Sequence, residues 1–219
     1  MGVTDLLAAY GPNYLSALLT TWRLTIASFA LVMVLSIVVT VMRVCPFKPL
    51  RLLGDLYVQV FRNVPGAVLI LIVVYALPYL KIVLDYEPSV VLVTVLLGAS
   101  FGSENFMTGI NTIGVGQIEA ARSIGLSFGQ ILRKIVIPQA LRSTVLPMTN
   151  LLIAVMLTTA LGSQVPMSTP ELTGIVSYIN TRESAGVATF FISACGYIAT
   201  ALVIGFAGNK LDQKVRIAR

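Results

Sequence analysis

The sequence contains no histidine, and it has few charged residues of either sign. Only 11% of its 219 residues are charged and 57% are hydrophobic, whereas soluble globular chains are about 25% charged. The absence of histidine excludes the serine–histidine–aspartate triad, the cysteine–histidine pair and His-rich metal sites. The two cysteines, Cys45 and Cys195, favour neither a disulfide nor a metal site. Together with a mean hydropathy of +0.90, these features indicate an integral membrane protein and argue against an enzyme.

Long stretches without charge occur five times along the chain. A helix needs about 20 apolar residues to cross a hydrocarbon core of about 30 Å, so each stretch predicts one transmembrane helix. The predicted spans are residues 20–42, 63–80, 88–108, 143–163 and 185–208. The fold class predicted from the residues is therefore all-α and integral to the membrane, with residues 1–219 forming one transmembrane domain.

The basic residues are distributed unequally between the two sides that these spans define. Because cytoplasmic loops retain Lys and Arg, the richer side is predicted to be cytoplasmic, with the N-terminus outside and the C-terminus in the cytoplasm. The richer side holds twelve basic residues, Arg43, Lys48, Arg51, Arg62, Arg122, Arg133, Lys134, Arg142, Lys210, Lys214, Arg216 and Arg219, and the other side holds Arg23, Lys81 and Arg182. This division into three loops indicates topology and argues against a nucleic-acid partner.

The N-terminal residues lack the basic start of a signal peptide, since their first charge is Asp5. Gly11-Pro12 is expected to interrupt the hydrophobic run. Residues 6–10 are therefore predicted to be a short interfacial piece leading into the first span.

The cytoplasmic loop at residues 109–142 is too long and too varied to be a plain connector. Residues 118–124 predict a helix, with Glu119 near its start, where a carboxylate is favoured by the helix dipole. Gly125 predicts its end, and Ser127 and Gln130 have the spacing of a capping box that opens a second helix. Pro138 is expected to kink or end this second helix. From these residues alone, the loop is either a docking surface for a cytoplasmic partner or an amphipathic segment on the lipid.

The same loop resembles a known family. Its residues Glu119, Ala120, Ala121, Gly125, Ile135 and Pro138 match the EAA signature of ABC-importer permeases, with Ile137 in place of the usual leucine. The resemblance implies a type I ABC importer permease fold in the cell membrane, in which the first helix of the loop is a coupling helix that docks on an ATPase. It also implies three kinds of partner: an ATPase dimer, a second permease subunit in a homo- or heterodimer, and an extracellular solute-binding protein.

Other segments are similar to permeases for polar amino acids. Phe61-Arg62-Asn63-Val64-Pro65 resembles the F-R-G-T-P segment of that subfamily, and the region from Gly109 to Asn150 is most similar to actinobacterial glutamate permeases. The resemblance implies import of glutamate or a related polar amino acid by alternating access. No phosphate-binding loop is present, so ATP and magnesium are expected on the partner and no cofactor on this chain. The alternatives are cystine, glutamine or a basic amino acid as cargo, or a membrane scaffold or channel subunit that does not pump.

Four polar residues in the predicted spans are candidates for the substrate pathway: Glu104, Asn150, Thr158 and Thr159. A charge within a span is costly and generally faces a protein interior or a water-filled path. Glu104 is therefore expected either to bind a substrate amine or to pair with a neighbour such as Arg62 near the cytoplasmic surface. Asn150 and Thr158 are eight residues apart and share one helix face, where they either line the pathway or form hydrogen bonds between helices.

The predicted outer segment after the fourth span has the pattern of a short helix. Thr169 and Pro170 are a typical cap and first residue. The apolar stripe that follows, Leu172, Ile175, Val176 and Ile179, either receives the solute-binding protein or packs on the bundle.

Overall fold

A computed structural model describes residues 2–183 and 185–215, so the predicted contributions of Arg216 and Arg219 to topology lie outside the described residues. The described chain is helical and contains no strand. In chain order its helices are α1 Val3–Val44, α2 Lys48–Asn63, α3 Gly66–Leu80, α4 Tyr86–Asn111, α5 Val115–Ser123, α6 at residues 128–143, α7 Val145–Gln164, α8 Gly174–Asn180 and α9 Val187–Val215. Within these residues, α1, α4, α7 and α9 are long and apolar enough to cross a membrane, and α2 with α3 forms a fifth crossing only as a bent pair.

The first helix is continuous, and the predicted break at Gly11-Pro12 is wrong. α1 has 42 residues with Pro12 inside it, which makes it about 63 Å long at 1.5 Å per residue. A residue before proline is normally pushed out of the helical region by a clash that involves its Cβ. Gly11 has no Cβ, and the helix continues with the loss of one backbone hydrogen bond.

A sharp bend separates α2 from α3. The two helices meet at 99°, and Val64 between them has an extended backbone, φ −90° and ψ 126°. Pro65 explains this conformation, because its ring disfavours the helical region for the preceding residue. The predicted span at 63–80 is thus α3, while α2 is a separate helix that the sequence analysis treated as part of a loop.

Close packing between α1 and α4 depends on glycine in α4. A Cβ on Gly98 would lie 2.7 Å from Cγ2 of Val32, and a Cβ on Gly102 would overlap Ser36. These two glycines let the helices approach closely, as small residues do between transmembrane helices. The central core lies here and includes the buried side chains of Val32, Phe106 and Leu151.

The outer segment forms its helix later than predicted, because α8 begins at Gly174 rather than at Pro170. Leu172, Ile175 and Ile179 are buried against the first half of α1, where they meet Leu6 and Tyr14. The apolar stripe therefore packs on the bundle. This packing also explains why α1 is longer than one membrane crossing requires.

Candidate functional site

The turn after α5 is built around the left-handed conformation of Gly125, whose φ is +81°. Gly125 N–H donates to Arg122 O at 2.9 Å, and Leu126 N–H donates to Ala121 O at 3.1 Å. This pair of bonds is a Schellman motif, which satisfies carbonyls at a helix end and favours glycine at the left-handed position. The predicted helix stop at Gly125 is confirmed.

Within α5, the three signature residues have different environments. Ala121 is 3% exposed and packs with Ile131 and Val136 of α6, while Glu119 and Ala120 are exposed. The helix begins at Val115, three residues earlier than predicted. Glu119 is therefore in the second turn, and the proposed dipole effect on its carboxylate does not apply, since that effect is confined to the first turn.

Exposed apolar side chains occur at the start of α5 and around the turn that follows it. Val115 is 70% exposed and Ile124 is 77% exposed, and Phe128 beyond the turn is exposed as well. Exposed apolar residues that cluster in this way mark interaction surfaces on proteins. The turn is thus held against α6 by buried contacts, while its exposed side chains are open to a partner.

The second helix of the loop, α6, begins as predicted but does not end at Pro138. Ser127 accepts from Gln130 N–H and its own N–H donates to the Gln130 side chain, which is a complete capping box. A π-helical turn at Leu132–Val136 precedes Pro138, and the helix continues to Ser143. The wider turn moves the upstream carbonyls and accommodates the proline ring. Ile135 is half-buried in this turn.

One hydrogen bond joins the two helices of the loop, and another joins the loop to a span. Gln139 of α6 donates from Nε2 to Oε1 of Gln117 in α5 at 2.9 Å. Ser143 Oγ donates to Gly109 O in α4 at 3.5 Å. Since α6 leads directly into α7, α5 is connected to α7 through a packed helix.

Glu104 lies in a cluster of four charged side chains that joins α1, α2 and α4. Arg43 Nη2 donates to Glu104 Oε1 at 2.9 Å and Arg43 Nε donates to Asp55 Oδ1 at 2.9 Å. Arg62 Nη1 lies 3.4 Å from the same Glu104 oxygen, so the predicted pairing with Arg62 is present. Arg43 also donates to Ser103 Oγ at 3.1 Å. An interhelical ion-pair cluster therefore compensates the charge of Glu104.

A cavity of about 570 Å³ opens beside this cluster, between the α2–α3 bend, α4 and α7. Its polar lining residues are Arg62, Asn105, Asn150 and Thr158. Asn150 and Thr158 share this wall, as their spacing predicts. Thr159 does not: it is fully buried and its hydroxyl donates to Met156 O. The volume is within the usual range for small-molecule sites.

Glu171 is a buried carboxylate that the sequence analysis did not select as a candidate. Its oxygens accept from Thr173 N–H at 2.6 Å, Gly174 N–H at 2.7 Å and the Tyr197 hydroxyl at 2.8 Å. Burial raises the pKa of this carboxyl group, and the three donors oppose that shift by stabilising the anion. Glu171 thereby fixes the start of α8 to α9.

Comparison with known proteins identifies the family. Residues 33–217 match the model of the binding-protein-dependent transport system inner membrane component. The chain belongs to this family. It is 33% identical to the glutamate transport system permease protein GluC of Corynebacterium efficiens, over 99% of this chain and 100% of the relative. It is 30% identical to the L-cystine transport system permease protein TcyB of Bacillus subtilis, over 80% of this chain and 74% of the relative.

Solved structures confirm the fold of this inner membrane component. The crystal structure of an amino acid ABC transporter with histidines matches with a TM-score of 0.87, covering 95% of this chain and 96% of that chain at 22% identity. An inward-facing MetNI methionine ABC transporter matches with a TM-score of 0.75, over 97% of this chain and 99% of that chain, at 19% identity. The predicted all-α permease fold and the membrane location are therefore confirmed.

Family membership has two further consequences for this permease. It is a transport component rather than a catalytic subunit. It also works with other proteins, since the family depends on a binding protein and its members are components of larger transport systems.

Two polar residues of the cavity were missed as candidates by sequence reasoning. Arg62 was counted as a loop charge and Asn105 was not considered. The X-Pro signal at Val64-Pro65 was available to locate the bend that brings Arg62 to the cavity. Asn105 carries no comparable signal, because its role depends on the bond from its Nδ2 to Pro147 O at 3.1 Å.

Proposed function

We propose that this permease carries glutamate, or a closely related polar amino acid, into the cell by alternating access driven by a separate ATPase. The main support for the proposal is the packed connection from α5 and the turn at Gly125 through α6 into α7. Helix α7 forms a wall of the polar cavity. The relatives support the cargo, since two that are 33% and 32% identical over 99% of the chain are glutamate transport system permeases of corynebacteria.

The proposed orientation has the N-terminus outside and the C-terminus in the cytoplasm. The loop of α5 and α6, together with α2 and the end of α9, carries nine of the 15 basic residues, and cytoplasmic segments are the ones that retain such charge. The spans are α1, α3, α4, α7 and α9, and α2 is a cytoplasmic helix that leads into α3.

In this proposal, α5 is the coupling helix and docks on one subunit of an ATPase dimer, which holds ATP and magnesium. Glu119 and Ala120 face the ATPase, and the exposed side chains of Val115 and Ile124 enter its surface. Buried Ala121, half-buried Ile135 and left-handed Gly125 hold the helix in its docking position. Pro138 lies in the part of α6 that transmits the motion.

The pathway runs through the cavity and is completed by a second permease subunit, identical or different. Asn150 and Thr158 line it, and their amide and hydroxyl groups suit a zwitterionic solute. Glu104 acts through the ion-pair cluster at its edge. Thr159 is not part of the lining. A solute-binding protein delivers the amino acid from outside.

Uptake of labelled glutamate in cells with and without the gene tests the proposal. We expect uptake to depend on the gene and to be inhibited by an excess of unlabelled glutamate. Inhibition by cystine, glutamine or a basic amino acid, but not by glutamate, would show that the inhibiting amino acid is the cargo instead of glutamate. Uptake that is independent of the gene for every amino acid would overturn the transport function.

A further inference from the structure

We propose that Arg62 is the binding group for a carboxylate of the substrate, and that Glu104 holds its guanidinium at the cavity when no substrate is bound. This inference rests on the proposed function and names the chemistry by which the cavity recognises its cargo. It concerns a residue that lies at the end of α2, outside every apolar stretch of the sequence.

The α2–α3 bend accounts for the position of Arg62. Pro65 ends α2 and turns the chain by 99°, so that Phe61, Arg62, Val64 and Gly66 all line the cavity. Without the bend, a residue at the end of a 16-residue helix would lie away from α7. The cavity thus has a cation on the same lining as Asn150 and Thr158.

Arg62 is only partly engaged by Glu104. Its Nη1 lies 3.4 Å from Oε1, whereas charge-assisted N–H···O bonds are about 2.7–2.9 Å long. The ring of Phe101 also lies near, with its centroid 5.5 Å from the guanidinium carbon. The Arg62 side chain is 41% exposed, so donors of its planar fork remain accessible from the cavity.

Glu104 does not depend on Arg62 for charge compensation. Arg43, which is 12% exposed, already donates to the same Oε1 at 2.9 Å and to Asp55 at 2.9 Å. With two cations and two carboxylates, the cluster is neutral. A substrate carboxylate can therefore bind Arg62 in place of Glu104, while the ion pair between Arg43 and Glu104 remains.

A guanidinium recognises a carboxylate through two parallel N–H···O bonds. The ammonium group of the same amino acid needs acceptors, and the cavity supplies the side-chain oxygens of Asn105 and Asn150. The Asn105 amide is oriented by its bond to Pro147 O, which leaves its oxygen as an acceptor. The lining is thus complementary to a zwitterion.

Equilibrium binding of labelled L-glutamate to the purified permease–ATPase complex, without the solute-binding protein, tests the inference. Arg62→Gln should weaken binding about 10- to 100-fold, the usual effect of losing a hydrogen bond to a charged group. Arg62→Lys keeps the charge and should weaken binding less. Arg51→Gln is the matched control, because Arg51 is an exposed arginine of the same helix outside the cavity lining, and it should leave binding unchanged.

Basal ATPase activity of each variant complex shows whether it is folded and assembled. With that activity intact, glutamate binding by Arg62→Gln at the wild-type level, or an equal loss in Arg51→Gln, would overturn the role of Arg62. The ratio of glutamate to glutamine affinity shows which carboxylate Arg62 binds. If this ratio falls towards one in Arg62→Gln, Arg62 binds the side-chain carboxylate. If the variant loses affinity for both amino acids equally, Arg62 binds the α-carboxylate. A wild-type complex that binds no glutamate but binds another amino acid would refute the cargo instead.

Discussion

Arg43 and Glu104 form a 2.9 Å hydrogen-bonded ion pair between α1 and α4. The same guanidinium bonds Asp55 of α2 and the hydroxyl of Ser103. Arg43 is nearly buried, and a buried arginine is costly unless its donors are satisfied. Arg43 therefore joins three helices at the edge of the cavity, and because it compensates Glu104 at 2.9 Å, Arg62 is only partly engaged by that carboxylate.

Replacing Glu104 with glutamine should reduce uptake while leaving the complex assembled. Arg43 keeps its bond to Asp55, but Arg62 loses its counter-ion and holds the substrate carboxylate more firmly. We expect glutamate binding to the complex to tighten about two- to five-fold, in keeping with a solvent-accessible ion pair, and turnover to slow. Asp55→Asn is the control: it removes a negative charge that also contacts Arg43 but not one that contacts Arg62, and it should leave the affinity for glutamate unchanged. Weaker binding by Glu104→Gln would show instead that Glu104 binds the substrate amine.

Gly125→Ala should impair the coupling of ATP hydrolysis to uptake. A left-handed conformation costs an alanine about 1–2 kcal/mol, so the turn that fixes α5 is destabilised. Gly129→Ala is the matched control, since Gly129 lies in α6 with no positive φ and open space around its Cβ position. The measurement is the number of ATP molecules hydrolysed per glutamate transported. Equal ratios in both variants would contradict the role of the turn.

Membrane topology can be tested with single cysteines. In a background with Cys45→Ala and Cys195→Ala, Val83→Cys between α3 and α4 should react with a membrane-impermeant maleimide in intact cells. Arg133→Cys in α6 should react only after the cells are opened. Both sites are exposed. Labelling in the reverse order would invert the proposed orientation.

Glu171→Ala should lower the thermal stability of the complex, because three donors lose their acceptor. Buried groups left without partners cost about 1–3 kcal/mol each, and we expect a net loss of roughly 2–4 kcal/mol after local relaxation. Glu183→Ala removes a carboxylate that accepts one bond from the Tyr10 hydroxyl at 3.1 Å, and should cost about 1 kcal/mol. Thermal unfolding midpoints provide the comparison, and equal shifts would refute the anchoring role of Glu171.

The features that the sequence predicted correctly depend on local chemistry. Gly125 ends α5 because only glycine takes φ +81° without strain, and Ser127 with Gln130 opens α6 through its own backbone. The apolar stretches predicted most of the spans for a similar reason, since an apolar stretch of about 20 residues is long enough for a helix to cross the membrane.

The features that could not be predicted from the sequence depend on contacts between distant segments. Glu171 can be buried because Tyr197, 26 residues later, and two backbone N–H groups donate to it. Pro12 lies inside α1, where packing of residues 6–17 on the outer segment supports a continuous helix. Arg62 reaches the cavity through a bend whose direction depends on how α3 packs. Apart from the X-Pro signal that marks the bend, none of these relationships has a period or a motif in the sequence.

The most direct test of the account is accumulation of labelled glutamate in proteoliposomes that contain the purified complex. We predict that glutamate rises above its external concentration only when ATP is supplied on the ATPase side and the solute-binding protein on the other. Equilibration of glutamate without ATP would indicate a channel, and accumulation of no amino acid under any of these conditions would contradict the role of this chain in import.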